Sequence, residues 1–231
     1  MAEPRFIEPV CPEGLSLPPK GFFILTSRDF WSLARGLCQR PKSLRLPYCR
    51  IVRQKEGFLV GPSLSAPHAI MVLETLKACN IKEVTIFGWC GSLSEDISPG
   101  EIFLPTEGLS FEGVSRHYPD SLSRPWHEGQ KQLKSLLIRA GFQVKEGPVA
   151  STDAPFRETI AFVSELKKRG VGALDMEISS LMQVGQFLDL KISCVLLVTD
   201  RLGDKWEDHR EKTQKIGEKV VRLIWKDLCR S

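Results

Sequence analysis

The stretch Gly172–Asp200, GALDMEISSLMQVGQFLDLKISCVLLVTD, constrains the fold more than any other part of the chain. It opens on a short acidic segment and continues with a helical pattern over Met176–Phe187. It then turns and ends in the apolar run Ile192–Thr199, closed by Asp200. A continuous apolar run of that length, bounded by turn residues, reads as a strand buried on both faces. A helix, a turn and a buried strand in succession belong in an α/β domain, where ligands bind outside the carboxyl ends of the strands. Asp175, Glu177 and Asp200 then fall at element ends on one side of a sheet. Carboxylates in different environments can divide the work, one binding as an anion and another giving up a proton.

The rest of the chain repeats this alternation. Gly21–Thr26, Tyr48–Val52, Gly57–Val60, Glu83–Phe87, Glu101–Leu104 and Phe142–Val149 read as strands. Helical patterns cover Asp29–Cys38, with Ser27 as N-cap and Pro41 as stop, and Ala69–Cys79, opened by Pro67. Others cover Pro125–Ala140, Glu158–Arg169 and Glu207–Leu228. Phe87–Leu93, FGWCGSL, comes directly after a strand and reads either as a tight turn or as a backbone held close to a ligand. Residues 106–124 lack periodicity and read as a long loop of the kind that is usually functional or disordered. The pattern predicts an α/β fold with a mostly parallel or mixed sheet. The 231 residues fit one domain over 21–231. Residues 1–20 carry Pro4, Pro9, Pro12, Pro18 and Pro19 and read as an extended arm, packed on the body or on a partner subunit.

Composition excludes several classes. The net charge of +4 is spread among acids, with Lys167–Arg169 the longest basic run, so no nucleic-acid footprint is expected. No apolar segment is long enough to span a bilayer, and the proline-rich start is unlike a signal peptide. Seven cysteines without a CxxC pair argue against a disulfide framework and a zinc site, and point to a reducing cytoplasm. No metal and no organic cofactor are expected. His68, His127 and His209 show no metal spacing and read as helix-surface or packing residues.

The remaining signals are chemical. Asp200 reads either as a cap for the next element or as a strand-end carboxyl, partly dehydrated and able to donate a proton. Asp175 and Glu177 suit the first turn of a helix, whose dipole would keep Glu177 ionised. An ionised carboxylate accepts two hydrogen bonds side by side, as vicinal sugar hydroxyls offer them. Met176 supplies apolar surface beside a sugar or packs in the core. Glu112–Tyr118, EGVSRHY, gathers an acid, a cation, His117 and an aromatic within seven residues. Ser151–Arg157 adds Phe156 and Arg157, an aromatic face and a planar fork suited to a flat heterocycle.

Taken together, GPSLSAPHAIMVLETL (61–76), FGWCGSL (87–93), SPGEIFLP (98–105), FEGVSRHY (111–118), STDAPFRET (151–159), ALDMEISSL (173–181) and LLVTD (196–200) resemble the nucleoside phosphorylase family. This is the purine and uridine phosphorylase type, which also includes methylthioadenosine nucleosidases. The resemblance implies a three-layer α/β/α domain with a mixed, partly barrel-like sheet, assembled as a homo-oligomer from dimer to hexamer. It implies a small-molecule nucleoside as substrate and inorganic phosphate as co-substrate. By resemblance Glu177 binds the ribose hydroxyls and Met176 lines the sugar. Asp200 protonates or hydrogen-bonds the leaving base, and Cys90, Gly91, His117, Phe156 and Arg157 approach the substrate. The chain departs from the family at the phosphate. Ile86 stands where an arginine is common, and Trp89 comes after the first glycine. Arg28, Arg50 and Arg53 are the candidate replacements. The expected reaction is phosphorolysis to free base and ribose 1-phosphate. The alternatives are hydrolysis by water, with Glu56 or Glu112 as the only candidate activating acids, and binding without catalysis.

Overall fold

The structure, a computed structural model, describes residues 5–37, 44–46, 49–119 and 123–229. Residues 1–4 of the arm, Cys38 and Pro41 after the first helix, Tyr48, and residues 120–122 of the expected loop lie outside the described residues. The strands are β1 (Lys20–Ile24), β2 (Leu44–Leu46), β3 (Cys49–Arg53), β4 (Phe58–Gly61), β5 (Glu83–Ser92), β6 (Ile102–Phe111), β7 (Val144–Thr152), β8 (Ala173–Asp175), β9 (Lys191–Leu202) and β10 (Trp206–Asp208). The helices are α1 (Ser27–Leu37), α2 (Ala66–Ala78), α3 (His127–Arg139), α4 (Ile160–Lys168), α5 (Ile178–Phe187) and α6 (Arg210–Leu228).

The strands form one mixed sheet in the order β10-β9-β6-β7-β8-β5-β1-β4-β3-β2, and β9 also pairs with β5. That extra pairing closes β9, β6, β7, β8 and β5 into a ring, from which β1, β4, β3 and β2 run out as an open sheet. The domain is therefore the three-layer, partly barrel-like α/β/α fold that the resemblance implies. One apolar layer joins α2 and α5 to the sheet through Ile70, Leu73, Leu181 and Met182. The opposite layer joins α1, α3 and α6 through Phe30, Leu33, Leu137, Val220 and Ile224. Each such fully buried side chain contributes ~1.5–3 kcal/mol of burial free energy.

Because β4, β1, β5 and β9 run parallel in register, their carboxyl ends stand side by side. Leu25–Asp29, Pro62–His68, Trp89–Ser92 and Asp200–Leu202 all emerge at that one edge.

Several strands run further than their apolar cores predict. GWCGS is not a turn: it is the second half of β5, carried past a bulge between Cys90 and Gly91. Residues 106–111 are not loop but the half-exposed second half of β6, paired with β7. Asp200 does not end its strand, because β9 continues to Leu202 and folds back on β10. Polar residues on the closing side of a barrel pair as well as apolar ones, so these extensions leave no apolar run to read.

The described part of the arm, residues 5–19, packs on the body of the chain. Cys11 is bonded to Cys79 at the end of α2, and Arg5 pairs with Glu74 at 3.2 Å. Leu15 and Leu17 pack against the core. The disulfide overturns the expectation drawn from the cysteine count and removes its argument for a reducing compartment. An odd total and the lack of a CxxC pair say nothing about partners 68 residues apart, which only the fold brings together. Cys49, Cys90 and Cys194 are free and buried. No described helix is long and apolar enough to cross a membrane.

Candidate active site

At the centre of this edge β5 carries Gly91, with Leu174 of β8 on one side and Asp200 of β9 on the other. The glycine leaves room for the Asp200 and Leu202 side chains. A Cβ at position 91 would stand 2.8 Å from Asp200 Oδ2 and 2.5 Å from Leu202 Cδ1. Asp200 is half-buried, and each of its oxygens accepts a hydrogen bond. Oδ1 takes the Thr199 hydroxyl and Oδ2 the Trp206 indole N–H, both at 3.0 Å. Cys90 is buried inside the sheet and belongs to the core rather than to an open site.

The second carboxylate cluster hangs from β8. Asp175 sits beside Ser151 of β7 and accepts that hydroxyl at 2.5 Å. Its other oxygen accepts the N–H groups of Glu177 and Ile178 at 3.0 and 2.8 Å. Asp175 therefore caps α5, leaving Glu177 free of that task. Glu177 is 8% exposed, and its Oε1 accepts the Ser65 N–H at 2.7 Å. Ser65 holds φ 91°, ψ 148°, a conformation that costs a non-glycine residue ~1–3 kcal/mol. That strained backbone is what aims its N–H at Glu177.

Burial raises the pKa of Glu177, and the charges of Asp175 and Asp153 raise it further. This reverses the expectation from the helix dipole, because desolvation and a neighbouring carboxylate outweigh one helix start. Burial likewise raises Asp175, against the hydrogen bonds from Ser151 and the backbone. The free protein thus holds a buried acid pair that repels a second negative charge and welcomes hydrogen-bond donors. Met176 lies between the two acids, half-buried.

A third group lies where β1 and β5 leave the sheet. Thr26 Oγ1 and Trp89 Nε1 both donate to Asp29 Oδ2, at 2.7 and 2.8 Å. Asp29 is fully buried, and burial raises its pKa. The Arg28 guanidinium lies 4.5 Å from the Trp89 ring centroid and donates one Nη1 hydrogen to the Arg210 carbonyl at 2.7 Å. Its Nε and Nη2 are buried without a hydrogen-bond partner. Asp29 Oδ1, also unpartnered, stands 4.0 Å from that Nε, too far for a hydrogen bond. Ile86 is wholly inside the core.

Between these groups, Ser63 Oγ and His68 Nδ1 are 2.9 Å apart. Ser63 N–H binds the Leu25 carbonyl just after β1, and Ser65, two residues on, reaches Glu177. Burial lowers the pKa of His68. His68 is half-buried on α2, as a helix-surface or packing residue is expected to be, and its ring also makes this hydrogen bond.

Other expected residues fall elsewhere. Arg50 lies opposite Gly61, level with the carboxyl end of β4. Arg53 lies opposite Phe58, ~10 Å back along the strand, and is exposed. Glu56 is exposed in the β3–β4 turn at that same far end. Glu112 is spent locally, accepting the N–H groups of Val114 and Ser115 and the Ser115 hydroxyl. Neither glutamate is placed to activate a water. His117 sits exposed on the 3₁₀ turn Ser115–His117, which packs on α5. Phe156 and Arg157 are exposed on the 3₁₀ turn Pro155–Arg157.

A groove of about 1070 Å³ opens beside Asp200, lined by Glu158, Ser164, Arg201 and Trp206 among others. A cleft of about 70 Å³ at the amino ends of β1 and β5, near Lys20 and Glu83, lies at the opposite end of the strands from Asp200, Glu177 and Arg28. Among the described residues no cluster of histidine, cysteine or acid side chains is arranged to hold a metal.

The closed mixed sheet thus carries two carboxylate sites and a guanidinium at one edge. Residues 47–226 match the family model of the phosphorylase superfamily, and the chain belongs to that family. It is 23% identical over 175 residues to a guanosine phosphorylase of Halorubrum lacusprofundi, covering 71% of this chain and 72% of that protein. Its fold matches a crystal structure of uridine phosphorylase from Vibrio fischeri with a TM-score of 0.79 and 20% identity, over 96% of this chain and 95% of that one. It also matches an AMP nucleosidase from Bacteroides thetaiotaomicron with a TM-score of 0.73 and 19% identity, over 91% of each chain.

Proposed function

We propose that this chain cleaves the N-glycosidic bond of a nucleoside by phosphorolysis, releasing free base and ribose 1-phosphate. The buried, unpartnered Nε–Nη2 edge of Arg28 carries this reading. That edge is the bidentate fork that matches two oxygens of a phosphate, and leaving buried donors unpaired costs ~1–3 kcal/mol or more for a charged group. A ligand that satisfies it repays that cost. Arg28 takes the work that Ile86 cannot do, and Arg50 stands near enough to the same edge to assist. Arg53 does not.

Glu177 and Met176 hold the ribose. Two hydroxyl donors replace the water that burial has stripped from Glu177, so the substrate itself stabilises the carboxylate. As the bond to the base lengthens, C1′ turns cationic and the base anionic. The nearby acids favour the first change, and Asp200 hydrogen-bonds the base. The names of the relatives favour a purine.

A second reading has its own support. His68, whose pKa burial lowers and which is bonded to Ser63, stands near the start of α2 at the same edge, where a base could activate water. The test is a nucleoside panel with and without inorganic phosphate, measuring free base. Release only with phosphate is expected. Equal release in both overturns phosphorolysis in favour of hydrolysis, and ligand-induced thermal stabilisation without release leaves only binding.

A further inference from the structure

The groove beside Asp200 contains a carboxyl group with no assigned role. Glu158 lies between the 3₁₀ turn Pro155–Arg157 and Thr159, the N-cap of α4. It lines the groove with Trp206 and Arg201. Its side chain is half-buried and makes no hydrogen bond or ion pair among the described residues, whereas Asp200, opposite, already accepts one hydrogen bond on each oxygen.

The charged surroundings do not neutralise Glu158. Asp200 faces it from β9. Arg201, on the same strand, is occupied by Glu207 at 3.0 Å. Asp204 and Lys205 lie on the β9–β10 turn, Lys167 on α4, and Glu95 on the segment after β5, all around the same groove. Burial first and the Asp200 charge second raise the Glu158 pKa to about 7. A half-buried carboxyl that has no hydrogen-bond donor and stands near a second acidic side chain holds its proton more tightly than a solvated one.

We propose that Glu158 is the proton donor to the leaving base, while Asp200 serves as the acceptor that orients that base. In the step, the C1′–N bond breaks and its electron pair passes to the base. The Glu158 proton moves to a base nitrogen, and an oxygen of the attacking phosphate bonds C1′. Glu158 is left as a carboxylate and is reprotonated from solvent through the open groove. The assignment rests on the glycosidic-cleavage reading above and sharpens it by naming the acid.

The test combines kinetics with a titration that needs no turnover. E158Q is expected to lower kcat on a natural nucleoside by ~10²–10³-fold, as for loss of a general acid, with KM little changed. It should also remove the fall in kcat as pH rises through about 7. On a nitrophenyl riboside, whose leaving group needs no proton, the loss should be under ~10-fold. Carbon-13 NMR of labelled glutamate should show Glu158 titrating near neutrality in the free protein and lower in D200N. If the wild type releases base but E158Q matches it in rate and pH profile, or loses both substrates equally, or if Glu158 titrates as an ordinary carboxyl, the proton-donor assignment falls alone. If the wild type cleaves neither substrate, the cleavage reading falls and takes the assignment with it.

Discussion

Glu177→Gln should weaken catalysis and strengthen the free fold at once, which few substitutions do. Glu177 is 8% exposed and faces Asp175, and both burial and that neighbour oppose its charge. Its raised pKa means the folded protein keeps a proton that the unfolded chain has lost. Stability is therefore full below the ordinary glutamate range and declines as pH climbs towards the folded value, by up to ~1.4 kcal/mol per pH unit. Glutamine fits the same space, still accepts the Ser65 N–H, and has no charge to bury. The melting temperature of the variant should equal the wild type's below the ordinary glutamate range, exceed it increasingly as pH climbs from there to the folded value, and stay a constant amount higher above it, by ~2–4 °C for each kcal/mol recovered in a chain of this size. Catalysis should move the other way. A hydrogen bond to a charged group is worth ~1.5–3 kcal/mol, so weakened ribose contacts should cost roughly 10–150-fold in kcat/KM. Discrimination between ribo- and dideoxyribonucleosides should shrink with it. Thermal melts across pH, paired with kinetics on the two sugars, check both halves. A variant less stable than wild type at alkaline pH would refute the electrostatic reasoning, and unchanged sugar discrimination would refute the role in binding.

Arg28→Ala should raise the KM for phosphate by ~10²-fold, the value of a bidentate charge-assisted contact, and leave nucleoside binding in a calorimeter near native. An unchanged phosphate KM would exclude the Arg28 fork. Gly91→Ala should displace the Asp200 carboxylate or Leu202, because its Cβ would stand 2.8 and 2.5 Å from them. Turnover should fall at least ~10-fold with the overall fold retained by circular dichroism, and a fully active variant would show that Asp200 has no positional role. Cys11→Ser should destabilise the protein by ~2–4 kcal/mol through the 68-residue separation it no longer bridges. Equal chemical-denaturation midpoints for the variant and wild type under oxidising conditions would show that the bond contributes nothing.

The residues of Gly172–Asp200 were legible because their pattern is local. Helix spacing and an apolar run placed Glu177 and Asp200 at element ends, and the structure puts Glu177 at the start of α5 and Asp200 near the end of β9. The expected charge of Glu177 failed because it depended on Asp175, Asp153 and burial, none of which a helix pattern reports. GWCGS read as a turn because glycines usually break strands. Here Gly91 instead makes room for a side chain from a strand more than a hundred residues later. Glu158 stood in the sequence only as the start of a helix pattern and His68 as a helix-surface or packing residue, since what sets them apart is the groove and Ser63 respectively.

Sequence alone determined the α/β class, the membership of the carboxylate pair and the absence of a family arginine at Ile86. All of these come from short-range periodicity or from the identity of one residue. Tertiary structure alone decided which carboxyls lose their water, which arginine edge is buried without a hydrogen-bond partner and which cysteines join. Those properties depend on desolvation and on partners distant along the chain, and both come into being only when the ring of strands closes.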